Sequence, residues 1–241
     1  MTNESHSPLW GHHEKEFIVS ISYLISFAKR WQQASFLAVL MLVLSVSGDC
    51  SSEKVLFDGT SLDGWAHTGP GYFALDRGEK TLATMGGMGM LFYYDQPFAD
   101  FELTLEYKTT REDSNSGVFV RFPNLPKKNR PAEGAKELQG PWAAVNEGYE
   151  VQIYDSADGS SATGGLYSFF GASKRNGKPM GEWNAMKIRV EGQRYQVWIN
   201  GEQVGDYTGN RALKGYIGVQ NHAHDGEVHF RNIRITELEK K

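Results

Sequence analysis

Hydrophobic and polar residues alternate with a period of two along most of the chain after residue 50. FELTLEYKT (101–109) sets Phe101, Leu103, Leu105 and Tyr107 against Glu102, Thr104, Glu106 and Lys108. That pattern predicts a strand with one buried face. GVFVRF (117–122), GYEVQIYD (148–155), MKIRVEG and RYQVWING (186–201), GYIGVQNH (215–222) and VHFRNIRITEL (228–238) read the same way. Asn200-Gly201 is a hairpin turn signal leading into EQVGDY. No amphipathic helix is predicted. Strands at short spacing with turn residues between them predict an all-β domain, a β-sandwich or jelly roll of two antiparallel sheets. Two long segments interrupt the strands, 123–147 with its mixed-charge KKNRPAEGAKE and the Gly/Ser/Ala-rich 156–182. Loops of that length in a compact domain are commonly functional, and these two flank GYEVQIYD.

Strand parity turns the pattern into a site. Tyr149, Val151 and Ile153 share one face, so Glu150 and Gln152 share the other. In GVFVRF, Val118, Val120 and Phe122 fall together, opposite Phe119 and Arg121. In GYIGVQNH, Gly218, Gln220 and His222 oppose Ile217 and Val219. If these strands are neighbours, Arg121, Glu150, Gln152, Gln220 and His222 lie on one polar face, which would form a pocket floor. Asn115 in DSNSG and Asp155, just past the strand, stand close enough in sequence to join it, although both also suit turns. An Arg121–Glu150 surface ion pair is the plainer alternative and would contribute little.

Composition narrows the function classes. The 241 residues carry a net charge of −4, which gives no electrostatic support to nucleic-acid binding. Twenty-seven glycines and many aromatics (13 Phe, 11 Tyr, 6 Trp) suit an all-β fold with tight turns. The one cysteine, Cys50, excludes an intrachain disulfide and a cysteine-rich zinc site. There is no G-x-S-x-G, and no phosphate-binding glycine loop preceding a helix. GGMGM (86–90) reads as a loop, and the pair His222 and His224 is a weak metal signal.

The first fifty residues form a separate segment, leaving 51–241 as the β domain. FLAVLMLVLSVSG (36–48) has the length of a signal-peptide apolar region, with Lys29 and Arg30 ahead of it. Ser47, Gly48 and Cys50 resemble a bacterial lipoprotein signal in which Cys50 is lipidated, except that Asp49 precedes the cysteine. Plain cleavage after Ser47 or Gly48, and an uncut membrane-anchoring helix, are the alternatives. The expected location is exported, periplasmic or held at a membrane through the N-terminus.

Eight ordered blocks then carry a resemblance: VLFDGTSLDGW (55–65), DFELTLEYK (100–108), NSGVFVR (115–121), GYEVQIYD, TGGLY (163–167), GEWNAMKI (181–188), VWINGEQV (197–204) and GYIGVQNH…VHFRNIRI (215–235). The chain resembles the 3-keto-disaccharide hydrolase domain family over about residues 54–238. The resemblance implies a concanavalin A-like jelly roll acting on glycosides already oxidised to a ketone at sugar C3. Such a ketone acidifies the C2 proton, so a base can remove it, the C1 substituent leaves by β-elimination and water adds back. The roles required are a base, a group for the enolate oxygen and an acid. The expected assignment is Glu150 or His222 as base and Arg121 at the enolate oxygen. Gln152, Asn115, Tyr167, Gln220 and Asp155 would bind substrate. The resemblance also implies that a divalent metal ion could be taken by Glu150 and His222. The family's LQDHG reads VQNHA here, so Asn221 stands where the family has an acid.

Two other functions compete. A noncatalytic carbohydrate-binding module would rely on Trp142, Tyr167, Phe169 and Phe170 as stacking surfaces. A retaining glycosidase on the same fold needs two carboxyl groups roughly 5–5.5 Å apart. Gln152 stands where the second would be, which argues against it.

Overall fold

The computed structural model describes residues 52–125, 141–222 and 228–239. The signal-like segment, Cys50, all of KKNRPAEGAKE and His224 lie outside the described residues. Among the described residues thirteen strands form two antiparallel sheets. The strands are β1 (Glu53–Phe57), β2 (Trp65–Thr68), β3 (Tyr72–Asp76), β4 (Thr81–Met85), β5 (Gly89–Phe98), β6 (Phe101–Thr109), β7 (Ser116–Phe122), β8 (Tyr149–Ile153), β9 (Asn184–Glu191), β10 (Arg194–Ile199), β11 (Glu202–Thr208), β12 (Gly215–Asn221) and β13 (Val228–Glu237). The larger sheet runs β11-β10-β9-β6-β13-β4-β3, with β1 added on β13, and the smaller runs β2-β5-β12-β7-β8. The architecture is the all-β jelly-roll sandwich that the strand pattern predicts. Sequence neighbours such as β5 and β6 sit in different sheets, so the chain crosses between layers instead of winding up one sheet.

The main core fills the space between the layers. From the larger sheet come Phe101, Leu103, Leu105, Met186, Ile188 and Val190, and from the smaller Leu91, Val118, Val120, Tyr149, Val151 and Val219. Each is an alternate residue of its strand, so parity alone selects them. A second, smaller core lies on the other face of the five-stranded sheet. There Met90, Phe92, Phe119, Phe122 and Leu125 pack with Ala143 and Ala144 of a short helix, α1 (Pro141–Glu147). The sheet is therefore covered on both faces over part of its width, and β7 and β8 are buried at every position. Helix α1 falls in a segment that the sequence pattern leaves without a helix. Seven residues make fewer than two turns, too few to show a 3.6-residue period.

Parity fails at one place, and it corrects the expected site. Tyr216 pairs with Phe122 while Ile217 pairs with Val120, so Arg121 is an extra residue in β7, a β-bulge. Its φ is +55°. Phe122 consequently joins Phe119 in the smaller core, and Arg121 turns to the end of the sandwich between the sheets. Arg121 is completely buried there. Its Nε donates to the Ala99 carbonyl at 3.0 Å and its Nη2 to the same oxygen at 2.6 Å and to Asp100 Oδ1 at 2.8 Å. Nη1 donates to the Gly192 carbonyl and to the Tyr195 hydroxyl, whose ring lies 5.5 Å from the guanidinium carbon. Asp100 also accepts from Gly192 N at 2.9 Å. Arg121 thus ties the β5–β6 crossing to the β9–β10 turn; it is a structural clamp and does not line the pocket.

Candidate active site

The polar face begins with the edge of the five-stranded sheet. β8 pairs with β7 so that Glu150 faces Phe119 and Gln152 faces Gly117. β12 lies on the far side of β7, with Gly218 opposite Phe119. Beyond β8 the chain 164–167 continues the pairing: Gly164 N donates to Gln152 O and Tyr167 N to Glu150 O, both at 2.9 Å. That extension covers the outer edge of β8 and sets Tyr167 over Glu150. Asn115 enters from the turn before β7, whose Ser116 hydroxyl donates to the Gln220 carbonyl.

These elements enclose a cavity of about 210 Å³. Glu150, Gln152 and Gln220 form its inner part, with Asn115, Tyr154, Ser161, Tyr167 and His222 around them. Pro141, Trp142 and Val145 of α1 and Met88 supply the apolar wall. The structure therefore brings together Glu150, Gln152, Gln220, His222, Asn115 and Tyr167. It separates two residues from them. Arg121 is in the clamp described above. Asp155 has the opposite parity to Glu150 and Gln152, and lines a different cleft with Thr163 and Arg175, where it accepts from the Thr163 hydroxyl at 2.6 Å. Tyr154, which shares the parity of Glu150, takes the place expected for Asp155. Phe169 packs on Tyr149 and Tyr207 instead of reaching the cavity, and Phe170 packs against the main core. The walls from α1 and Met88 come from segments with no strand pattern, so parity gave no means of placing them.

Glu150 is the chemical centre of the cavity. It is 3% exposed. Burial pushes its carboxyl up to about 8, against a hydrogen bond from the Gln220 side chain that pulls the other way. No lysine or arginine among the described residues lines the cavity to hold the carboxylate charge. His222 is at the mouth, and burial of part of its surroundings lowers its pKa, which favours the neutral imidazole. Four buried side-chain oxygens, Asn115 Oδ1, Glu150 Oε1, Gln152 Oε1 and Gln220 Oε1, have no hydrogen-bond partner. Unpaired buried acceptors are costly, so these oxygens call for donors from whatever fills the cavity, water or a hydroxyl-bearing ligand. Glu150 and His222 are of the donor types that a divalent ion takes, but they are only two. Among the described residues there is no group of three or more His, Cys, Asp or Glu side chains that could hold one.

Gly117 makes room for the carboxylate. A Cβ at this position would stand 2.5 Å from Glu150 Oε1 and 2.8 Å from its Cγ. The Glu150 side chain lies flat across β7 only because this residue has no side chain. Gly117→Ala is expected to displace the carboxylate by about 1 Å or more and to lower kcat on the order of a hundredfold. The measurement is kcat beside the melting temperature; a fold-competent Gly117→Ala with normal kcat would contradict this placement.

Comparison with known proteins agrees with the fold. Residues 52–236 match the model of the 3-keto-alpha-glucoside-1,2-lyase-like domain. A 3-keto-disaccharide hydrolase of Bacteroides thetaiotaomicron is 26% identical over 252 aligned residues, covering 85% of each chain. A solved structure from Parabacteroides distasonis that carries the name glycosyl hydrolase is 25% identical with a TM-score of 0.61, over 78% of this chain and 100% of that one. A carbohydrate binding module of Bacillus subtilis shares the fold alone, at 15% identity and a TM-score of 0.52, over 72% of this chain and 96% of that one. The jelly roll, the ordered blocks and the match across 52–236 place this chain in the 3-keto-alpha-glucoside-1,2-lyase-like domain family, a family of glycoside-hydrolase type.

Proposed function

We propose that the protein cleaves the glycosidic bond of 3-keto-glycosides by elimination at C1–C2 and hydration, with Glu150 as the base. The observation that carries this reading is a single buried carboxyl, raised to about 8, set among unpaired hydrogen-bonding groups in a ring-sized cavity. A base near neutral pKa is matched to proton abstraction beside a ketone. Nucleophilic displacement would call for a second carboxylate, and Gln152 occupies its place.

Glu150 takes the C2 proton, and the C2–H electrons form the enolate. The enolate collapses to a C1=C2 double bond as the C1–O bond breaks. The departing oxygen accepts a proton from the protonated Glu150 or through His222. Water then adds oxygen at C1 and hydrogen at C2. With Arg121 in the clamp, the enolate oxygen is left to the side-chain N–H groups of Asn115, Gln152 and Gln220 and the hydroxyls of Tyr154 and Tyr167. Glu150 and His222 would hold a divalent cation, and such an ion supplies Lewis-acid polarisation of the ketone when bound.

Purified protein is expected to release the C1 substituent from a 3-keto-glycoside and to leave the unoxidised parent glycoside intact. Turnover of the parent at a comparable rate would overturn the keto requirement. Binding of both without turnover of either would favour the binding-module reading.

A further inference from the structure

We propose that Trp142 is the platform for the leaving group, and that the substrates are neutral glycosides whose C1 substituent presents a flat face, an aryl group or a second pyranose. The inference rests on the keto-glycoside reading for the location of C2 against Glu150.

The cavity has a floor and a mouth. Glu150, Gln152 and Gln220 are at most 5% exposed, whereas Trp142 is 46% exposed. A volume of about 210 Å³ is the size of a single sugar ring, and the cavity opens to solvent beyond it. With C2 held at Glu150, the substituent on the adjacent C1 must leave through the mouth, and Trp142 is the large apolar surface there. Three of the four described tryptophans already have ring or cation partners. Trp65 packs edge-on to Tyr93, Trp183 is covered by Lys108 and Arg231, and Trp198 by Lys187. Trp142 has no such partner among the described residues, although it belongs to a helix that is firmly held. Ala143 and Ala144 of that helix are buried against Phe119 and Phe122. Gly148 N donates to Ala144 O at 2.9 Å, and Arg211 Nη1 donates to Val145 O at 2.7 Å. A rigid indole with a free face beside a polar ring pocket is suited to stacking on an aromatic or a pyranose face. The absence of lysine and arginine among the described lining residues, together with Glu150, disfavours anionic substituents.

The test compares wild type with Trp142→Ala on 3-keto-glucosides bearing phenyl, glucosyl or methyl at C1. Taking the ratio of the two proteins on each substrate cancels the intrinsic ease of departure. The expected loss in kcat/KM is about tenfold for phenyl and glucosyl and within about twofold for methyl, mainly through KM, with Trp142→Phe restoring most of it. An equal loss on all three substrates would overturn the proposal, as would no loss on any. If wild type turns over none of them, the keto-glycoside reading fails separately. Calorimetric binding of the unoxidised phenyl and methyl glucosides then decides: tighter phenyl binding that Trp142→Ala abolishes supports the platform, and equal affinities refute it.

Discussion

Glu150→Gln is expected to abolish turnover and, above pH 8, to stabilise the fold. Removing a general base typically costs 10²–10⁴ in rate, and among the described residues no second carboxyl lines the cavity to replace this one. A loss of about a thousandfold or more in kcat is therefore expected. The stability effect has the opposite sign and a defined pH window. Burial raises the Glu150 pKa from 4.5 unfolded to about 8 folded. A group raised in the folded state contributes its full stability below the unfolded value and loses it as pH rises through the folded one. Wild type should therefore lose a few kcal/mol between about pH 4.5 and 8 through this residue. Glu150→Gln, with a neutral side chain of the same shape, should not. The melting temperatures of the two proteins are expected to converge at pH 5 and to diverge at pH 9, with the variant higher. The same protonation should shape activity, because the base works only when ionised. Wild-type kcat/KM is expected to rise about tenfold per pH unit below pH 8 and to level above it. A flat profile, or a variant less stable than wild type at pH 9, would show that Glu150 is not the buried, raised carboxyl described.

Arg121→Ala is expected to act in the reverse way, damaging the fold and sparing the chemistry. Its guanidinium meets the Ala99 and Gly192 carbonyls, the Tyr195 hydroxyl and Asp100. Removing one partner of a buried ion pair costs roughly 3–5 kcal/mol, because the groups left behind are unpaired in the interior. Denaturant titration should show a loss of that size, and the folded fraction should retain wild-type kcat. A stable Arg121→Ala protein with no activity would return this residue to the enolate oxygen. Arg121→Lys should recover little, since a single ammonium cannot reach the same set of acceptors.

These two residues also show how far the sequence carries. Alternation placed Glu150, Gln152 and Gln220 because β8 and β12 are regular through them, and His222 because it directly follows the end of β12. The same rule carried two residues further, past Gln152, selects Tyr154. At Arg121 the rule broke at a bulge, and a bulge built on a non-glycine residue with φ of +55° leaves no glycine or proline as a marker. The apolar wall was hidden for another reason. Helix α1 is shorter than two turns, and its Ala143 and Ala144 are small residues chosen to fit against Phe119 and Phe122. Only the tertiary contact explains them. Strands β2 to β5 were equally faint, because β5 is buried on both faces through its first half and does not alternate. Gly117 illustrates the same limit: it reads as an ordinary strand glycine until the Glu150 carboxylate is seen lying against it.

In the proposed reaction, bond cleavage begins with removal of the C2 proton. The most direct measurement is the kinetic isotope effect on kcat/KM for a 3-keto-glycoside deuterated at C2, followed from the first turnovers. A primary isotope effect is expected, with deuterium lost from C2 as the C1 substituent is released, and neither seen with Glu150→Gln. Release of the substituent at an unchanged rate, with deuterium retained at C2, would contradict it and would point to direct displacement at C1.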